Sequence, residues 1–169
     1  SPLFLRLNYK MRKYYQVIFM NYGAKLKELR TSELLTQKDI ANILSISRST
    51  YKDYELQIKI IPINHLNNLC NYFHISIDYL FGLSSIKQYQ NQKDNFSYDI
   101  FSNRLKELRK EKKLTQENLA NLLNTTHSVV SDYEHGKNLI ATPFLYTICK
   151  KYKISADYLL GKTNDPKYL

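Results

Sequence analysis

Two nine-residue stretches hold the side chains best equipped for chemistry: SRSTYKDYE at 47–55 and THSVVSDYE at 126–134. Their Asp-Tyr-Glu ends are constant, while Arg48, Thr50 and Lys52 of the first become His127, Val129 and Ser131 in the second. These are cations and hydrogen-bonding groups without a catalytic arrangement. No nucleophile, base and oxyanion set recurs at a workable spacing, so the pattern suits recognition and no enzyme activity is expected. On a helical period of 3.6, Tyr51, Tyr54, Val130 and Tyr133 turn inward. Outward fall Arg48, Ser49, Lys52 and Asp53 in the first stretch, and His127, Ser128, Ser131 and Asp132 in the second. The changes from Arg48 to His127 and from Lys52 to Ser131 therefore lie on one exposed face.

The bulk of the chain fits that reading. A net charge of +10 and a pI near 9.5 suit a polyanionic partner such as nucleic acid or an anionic membrane surface. With only four Gly and four Pro in 169 residues, a mostly helical fold is expected, because turn-rich β folds need both residue types at bends. Cys70 and Cys149 lack metal-ligand spacing, so no metal or cofactor is expected and both thiols are assigned to core packing. No uncharged run approaches the roughly 20 residues of a membrane span, and the N-terminus lacks the ordered blocks of a signal peptide. A soluble, reducing, cytoplasmic setting is the expectation.

Sliding the chain against itself by 79 positions superposes LKELR at 26–30 on LKELR at 105–109 without a gap. The same shift aligns LTQ, Asp-Tyr-Glu, Cys70 with Cys149, and IS.DYL.G at 75–82 with 154–161; 24 of the 57 pairs from Leu26 to Gly82 are identical. Agreement at that level without insertion means two copies of one domain. Each copy is too small for a large core and must be compact and helical.

Local signals divide each copy into five helices. Phe101, Leu105 and Leu108 form one buried stripe at i, i+4, i+7. Thr115 is placed to cap the second helix of its copy, and Thr36 with Asp39 forms a capping box in the other. Gly136 stands where a left-handed residue ends the third helix, and Thr142 with Pro143 reads as a cap and first-turn pair for the fourth. SSIKQYQNQKDNFS between the copies is polar and reads as a flexible linker, with a mean reach on the order of 20 to 25 Å. The expected divisions are an N-terminal extension at 1–22, a first domain at 23–83, a linker at 84–98, a second domain at 99–162 and a tail at 163–169. Met20 followed by NYGAKLKELR reads as a natural start, leaving residues 1–19 as an extension, a basic arm or an added remnant.

LTQENLANLLNTTHSVVSDYEHGK, with its counterpart in the first copy, resembles the signature of the Cro and lambda-repressor type of helix-turn-helix family, also called XRE. The Leu-Thr-Gln opening, the Ala of the second helix, the Tyr-Glu after the third and the late Asp-Tyr-Leu carry the resemblance. It covers both copies and implies an all-α chain of two tandem five-helix lambda-repressor-like DNA-binding domains joined by a polar linker. Double-stranded DNA is then the expected partner, with the third helix of each domain in the major groove.

The resemblance also implies roles. Gln37 and Gln116 open the second helix and would meet a phosphate. Arg48 suits bidentate bonding to guanine, and Lys52 guanine or phosphate. Ser47, Ser49, Thr50, Thr126, Ser128 and Ser131 would help set register; His127 would donate to guanine or phosphate, and Lys137 would join the contacts from the following loop. Asp53 and Asp132 either accept from a cytosine or adenine amino group or pair with a neighbouring Lys or Arg. Arg30 with Glu55, and Arg109 with Glu134, are expected as structural ion pairs. Gln57 stands where the second copy has Gly136, so the loop after the first copy's third helix is expected to take another path, which leaves the contacts of Lys59 open.

By residue count the first copy carries seven Lys and Arg against six acids over 23–83, and the second twelve against eight over 96–169, so the second is the more basic. The reading is a sequence-specific transcriptional regulator acting as a repressor. An antitoxin or phage-type control protein that represses its own operon stays open, as does a protein-interaction module that keeps the fold and has lost groove reading. A second copy of the chain and a toxin or regulator protein stay open as partners.

Overall fold

A computed structural model of the protein describes residues 20–167; the N-terminal stretch 1–19, with the natural-start and arm readings attached to it, lies outside the described residues. Among the described residues there are ten helices and no strand. In the first copy α1 spans Tyr22–Ser32, α2 Gln37–Ile43, α3 Arg48–Glu55, α4 Ile63–Tyr72 and α5 Ile77–Leu80. In the second copy α6 spans Tyr98–Glu111, α7 Gln116–Leu122, α8 His127–Glu134, α9 Thr142–Tyr152 and α10 Ala156–Leu159.

The helix starts follow from side-chain caps. Thr36 accepts from the Asp39 amide while Asp39 accepts from the Thr36 amide, and Thr115 with Asn118 repeats the exchange. Each reciprocal pair satisfies two amides that the first turn leaves open. Between α2 and α3 the chain turns within four residues, using left-handed Ser45, and between α7 and α8 it uses left-handed Asn124. Ile46 N then donates to Ala41 O and Thr125 N to Ala120 O, both at 2.9 Å. Ala41 and Ala120 are buried at this crossing. Their small side chains let the third helix close on the second.

Leu26, Ile40, Leu66 and Leu69 join the inward Tyr51 and Tyr54 in the core of the first copy; in the second, Leu119, Leu145 and Ile148 join the Phe101, Leu105 and Leu108 stripe and the inward Val130 and Tyr133. Cys70 and Cys149 are fully buried free thiols, and burial pushes both well above the ordinary cysteine range, which suits packing.

Three features depart from the sequence expectations. Thr142 is not the cap of α9: Ala141 holds that position, and the Thr142 hydroxyl donates instead to Ile61 O of the first copy. The loop after α3 keeps the path of its counterpart, because Gln57 adopts φ +53° where Gly136 has φ +67°. A left-handed non-glycine residue is costly. Here the Gln57 side chain compensates by accepting from Gly23 N at 3.1 Å and donating to Met20 O at 2.6 Å.

The third departure is the linker, which is fastened rather than free. Asn67 and Asn71 both donate to Asp94 O, the Tyr89 hydroxyl donates to Asp78, and Lys93 N donates to Lys162 O. A polar composition indicated flexibility, yet these same polar side chains satisfy the backbone of an ordered crossing.

The two copies dock through α5 and α10. Ile77 N and Asp78 N donate to the two oxygens of Asp157 at 3.1 and 2.9 Å, while Ala156 N donates to Asp78 Oδ1 at 2.7 Å. Asp78 and Asp157 are 79 positions apart, so equivalent carboxylates exchange places across the junction. Each meets the positive end of the other's helix. Burial, and then the charge of Asp78, push Asp157 up to about 8, against the pull of the amides and Lys162. Burial also lowers Lys162, opposed chiefly by Asp157.

This geometry sets a pH dependence. Asp157 is raised above its unfolded value of about 3.9, so its contribution is fully present below that pH and is lost as pH rises through about 8. Glu55 and Glu134 are lowered in the fold, so theirs is present above about 4.3 and lost in acid. The expected outcome is a thermal midpoint that peaks in the mildly acidic range, above the glutamate loss, and falls as pH rises to about 8. A midpoint that climbs steadily from about pH 5 to about pH 8 contradicts the assignment.

Candidate nucleic-acid interface

The helices α3 and α8 are eight residues each, too short to hold a shape alone in water. Their inner faces are clamped by Tyr51 and Tyr54, and by Val130 and Tyr133, all buried. Their C-terminal ends are clamped by charge. Arg30 Nε donates to Glu55 Oε1 at 2.5 Å, and Arg109 Nε donates to Glu134 Oε1 at the same distance. The second guanidinium nitrogens donate to Leu35 O at 2.7 Å and Leu114 O at 2.8 Å. One arginine thus ties the first helix, the turn before the second and the end of the third.

The carboxylate environments explain the charge state. Burial alone would raise Glu55 and Glu134; hydrogen bonds from Arg30 and Gln37, and from Arg109 and Gln116, outweigh it and hold both below the usual range. Gln37 Nε2 donates to Glu55 Oε2 and Gln116 Nε2 to Glu134 Oε2, both at 2.9 Å. These are the two glutamines expected at a phosphate. The structure gives them an internal carboxylate, whose open lone pairs lie within reach of the helix start.

The outer faces are clear of the core. Arg48, Ser49, Lys52, His127 and Ser128 are exposed, while Thr50 and Ser131 are half-buried. Ser47 is the cap of α3, its hydroxyl accepting from Thr50 N at 3.1 Å and lying 3.0 Å from Ser49 Oγ and 2.9 Å from Thr50 Oγ1. Thr126 holds the same position on α8 without a side-chain cap bond. Ser131 lies against His135, with 3.3 Å between its Oγ and the ring Nδ1.

The constant aspartates have partners. Asp53 Oδ2 lies 2.9 Å from Lys59 Nζ, and Asp132 Oδ1 lies 3.5 Å from Lys137 Nζ. Both lysines belong to the loop after the third helix, and both are largely exposed. Each aspartate orients a cation beside the helix end, at little gain in stability for an exposed pair. Lys59 and Lys137 are not aligned copies, since 59 matches Asn138 and 137 matches Ile58. The pairing survives a one-residue shift because the lysine side chain is long.

The flanks also differ. After α3 the chain exposes Leu56, Ile58 and Ile60, where the second copy has His135, Lys137 and Leu139. The flank of the first copy is the more apolar, while each copy keeps one lysine there.

Among the described residues no His, Cys, Asp and Glu group has the makings of a metal site, and no helix is long and apolar enough to cross a membrane. A family model described as a helix-turn-helix domain matches residues 23–99 and again 102–164. The chain belongs to the XRE-type helix-turn-helix family. It is similar to three proteins of Bacillus subtilis (strain 168). To the uncharacterized HTH-type transcriptional regulator YobD it is 33% identical over 63 residues, covering 37% of the chain and 56% of that protein. The uncharacterized HTH-type transcriptional regulator YqaE gives 40% over 67 residues, covering 39% and 58%. The HTH-type transcriptional regulator ImmR gives 32% over 75 residues, covering 44% and 58%. The chain thus spans just over half the length of these curated relatives. No solved structure gives a significant match.

The two caps make a direct comparison. Ser47→Ala removes a cap bond and is expected to lower stability by about 1 kcal/mol, whereas Thr126→Ala has no such bond to lose and is expected to cost less than about half that. Urea unfolding of the two variants measures the difference, and equal losses contradict the capping geometry.

Proposed function

We propose that the protein is a sequence-specific DNA-binding transcriptional regulator, acting as a repressor, in which α3 and α8 each enter a major groove. One observation carries the reading: each copy presents a third helix that is clamped on its inner face and free on its outer face, and that outer face bears hydrogen-bonding side chains. Arg48 offers a planar fork to guanine, Lys52 a point charge, and His127 with Ser128 a shorter hydrogen-bonding set. Ser47, Ser49, Thr50, Thr126 and Ser131 line the approach and set register, and Lys59 and Lys137 sit where a flanking phosphate would pass. Asp132, like Asp53, acts by steering its lysine. Gln37 and Gln116 hold the third helix through the glutamates and leave the exposed start of the second helix to a phosphate. The excess of positive charge draws the chain to the duplex.

In this reading the domains are 23–83 and 99–162, joined through 84–98, and the protein works in the cytoplasm without a catalytic role. Because the reading faces differ, the two domains prefer different half-sites.

Two measurements test this. Affinity for a DNA site selected from a random pool should fall steeply with salt, and Arg48→Ala should cost about 1 to 3 kcal/mol at one half-site while His127→Ala acts on the other. Unchanged affinity and preference in both variants would favour a protein-interaction module that retains only the fold.

A further inference from the structure

The exchange between Asp78 and Asp157 fixes more than a contact. Equivalent residues meet across it, Ile77 N with Asp157 and Ala156 N with Asp78, which is the mark of a two-fold, isologous junction. Extended from the junction to the whole of each copy, the rotation that swaps Asp78 with Asp157 would also swap α3 with α8.

The flanks of the junction break that symmetry. Lys162, fully buried, donates from Nζ to Asn67 Oδ1 at 2.5 Å and to Asn71 Oδ1 at 3.0 Å. At the mirrored positions stand Leu83, Tyr146 and Lys150. On that side Phe81 packs edge-on against Tyr146, with ring centroids 5.6 Å apart. Pairing two first copies would set Leu83 against Asn67 and Asn71, leaving a buried amide and a half-buried one without the lysine. Two second copies would set Lys162 against Lys150 and Tyr146, cation facing cation. Only the pairing of a first with a second copy satisfies both flanks.

We infer that one chain is a complete, rigid two-headed reader, and that its DNA site consists of two non-identical half-sites in inverted orientation at one fixed spacing. This rests on the DNA-binding reading above. Inversion follows from the two-fold relation of α3 and α8, because a duplex bound by both must align its own dyad with that of the protein. Fixed spacing follows from the fastened crossing at 84–98: a free tether would tolerate many spacings, and docked domains do not. Single-chain binding follows because the junction is occupied within the chain.

The test selects sites for the full chain from a random duplex pool, then measures affinity and mass for the selected duplex and for rearranged versions. Expected are an inverted pair of unlike half-sites, one chain per duplex, and at least a tenfold loss when about 5 bp, half a helical turn, is inserted between them. Asp157→Arg, which sets a cation against the amides of Ile77 and Asp78, should shrink that loss below threefold while each half-site alone binds as before. Direct repeats, two chains per duplex, or a wild-type loss under threefold would overturn the inference and leave DNA binding intact. A pool that yields no enriched site would overturn the DNA-binding reading and this inference with it. The wild-type measurements decide the matter even where Asp157→Arg fails to fold.

Discussion

A guanidinium buried against a carboxylate is the constraint on which each half of the molecule depends. An eight-residue helix has no stability of its own to spend on orientation. Arg30 and Arg109 hold it by its last residue while also gripping the turn carbonyls of Leu35 and Leu114. The side chain of Glu134 is almost wholly covered, so removing either partner would strand a buried charge, a loss on the order of 3 to 5 kcal/mol. The pair is therefore held constant in both copies while the residues around it change. Constancy at the clamp is what leaves the outer face free to vary.

Much of this was legible in the sequence. The gapless offset of 79 gave the two copies, and the tyrosine and valine positions gave the buried side of α3 and α8. The aspartate of the constant frame admits two readings from the sequence, a base contact or an ion pair. The structure pairs it with a lysine that sits at a different alignment position in each copy, and a column-by-column comparison hides such a partner. Gln37 and Gln116 look outward by position, yet a buried carboxylate with unfilled lone pairs draws their amides inward. Composition misdescribed the crossing at 84–98, since Asn, Gln and Tyr can solvate a free chain or satisfy a fixed one.

The largest omission lay in the late Asp-Tyr-Leu motif. It reads as a family mark, and its aspartate as an ordinary first-turn acid of a short helix. In fact Asp78 and Asp157 are both fully buried, each on the other's helix start. The available signal was an acid lying within an apolar run and repeated in both copies. A buried carboxylate needs partners, and those within one copy do not suffice. The unlike flanks, Lys162 on one side and Phe81 with Tyr146 on the other, then make the repeat a matched pair instead of a duplicate.

The two halves share a scaffold and differ where they would meet a duplex, so the exposed and half-exposed residues of the third helix decide which half-site each prefers. Transplanting them tests it: a chain carrying R48H, T50V and K52S presents the second copy's outer face at those positions on α3, and its selected DNA site can be compared with that of the original. One half-site should change to match the other, giving a near-palindrome, while the second half-site and the spacing stay as they were. An unchanged site, or a change in both halves, would contradict it.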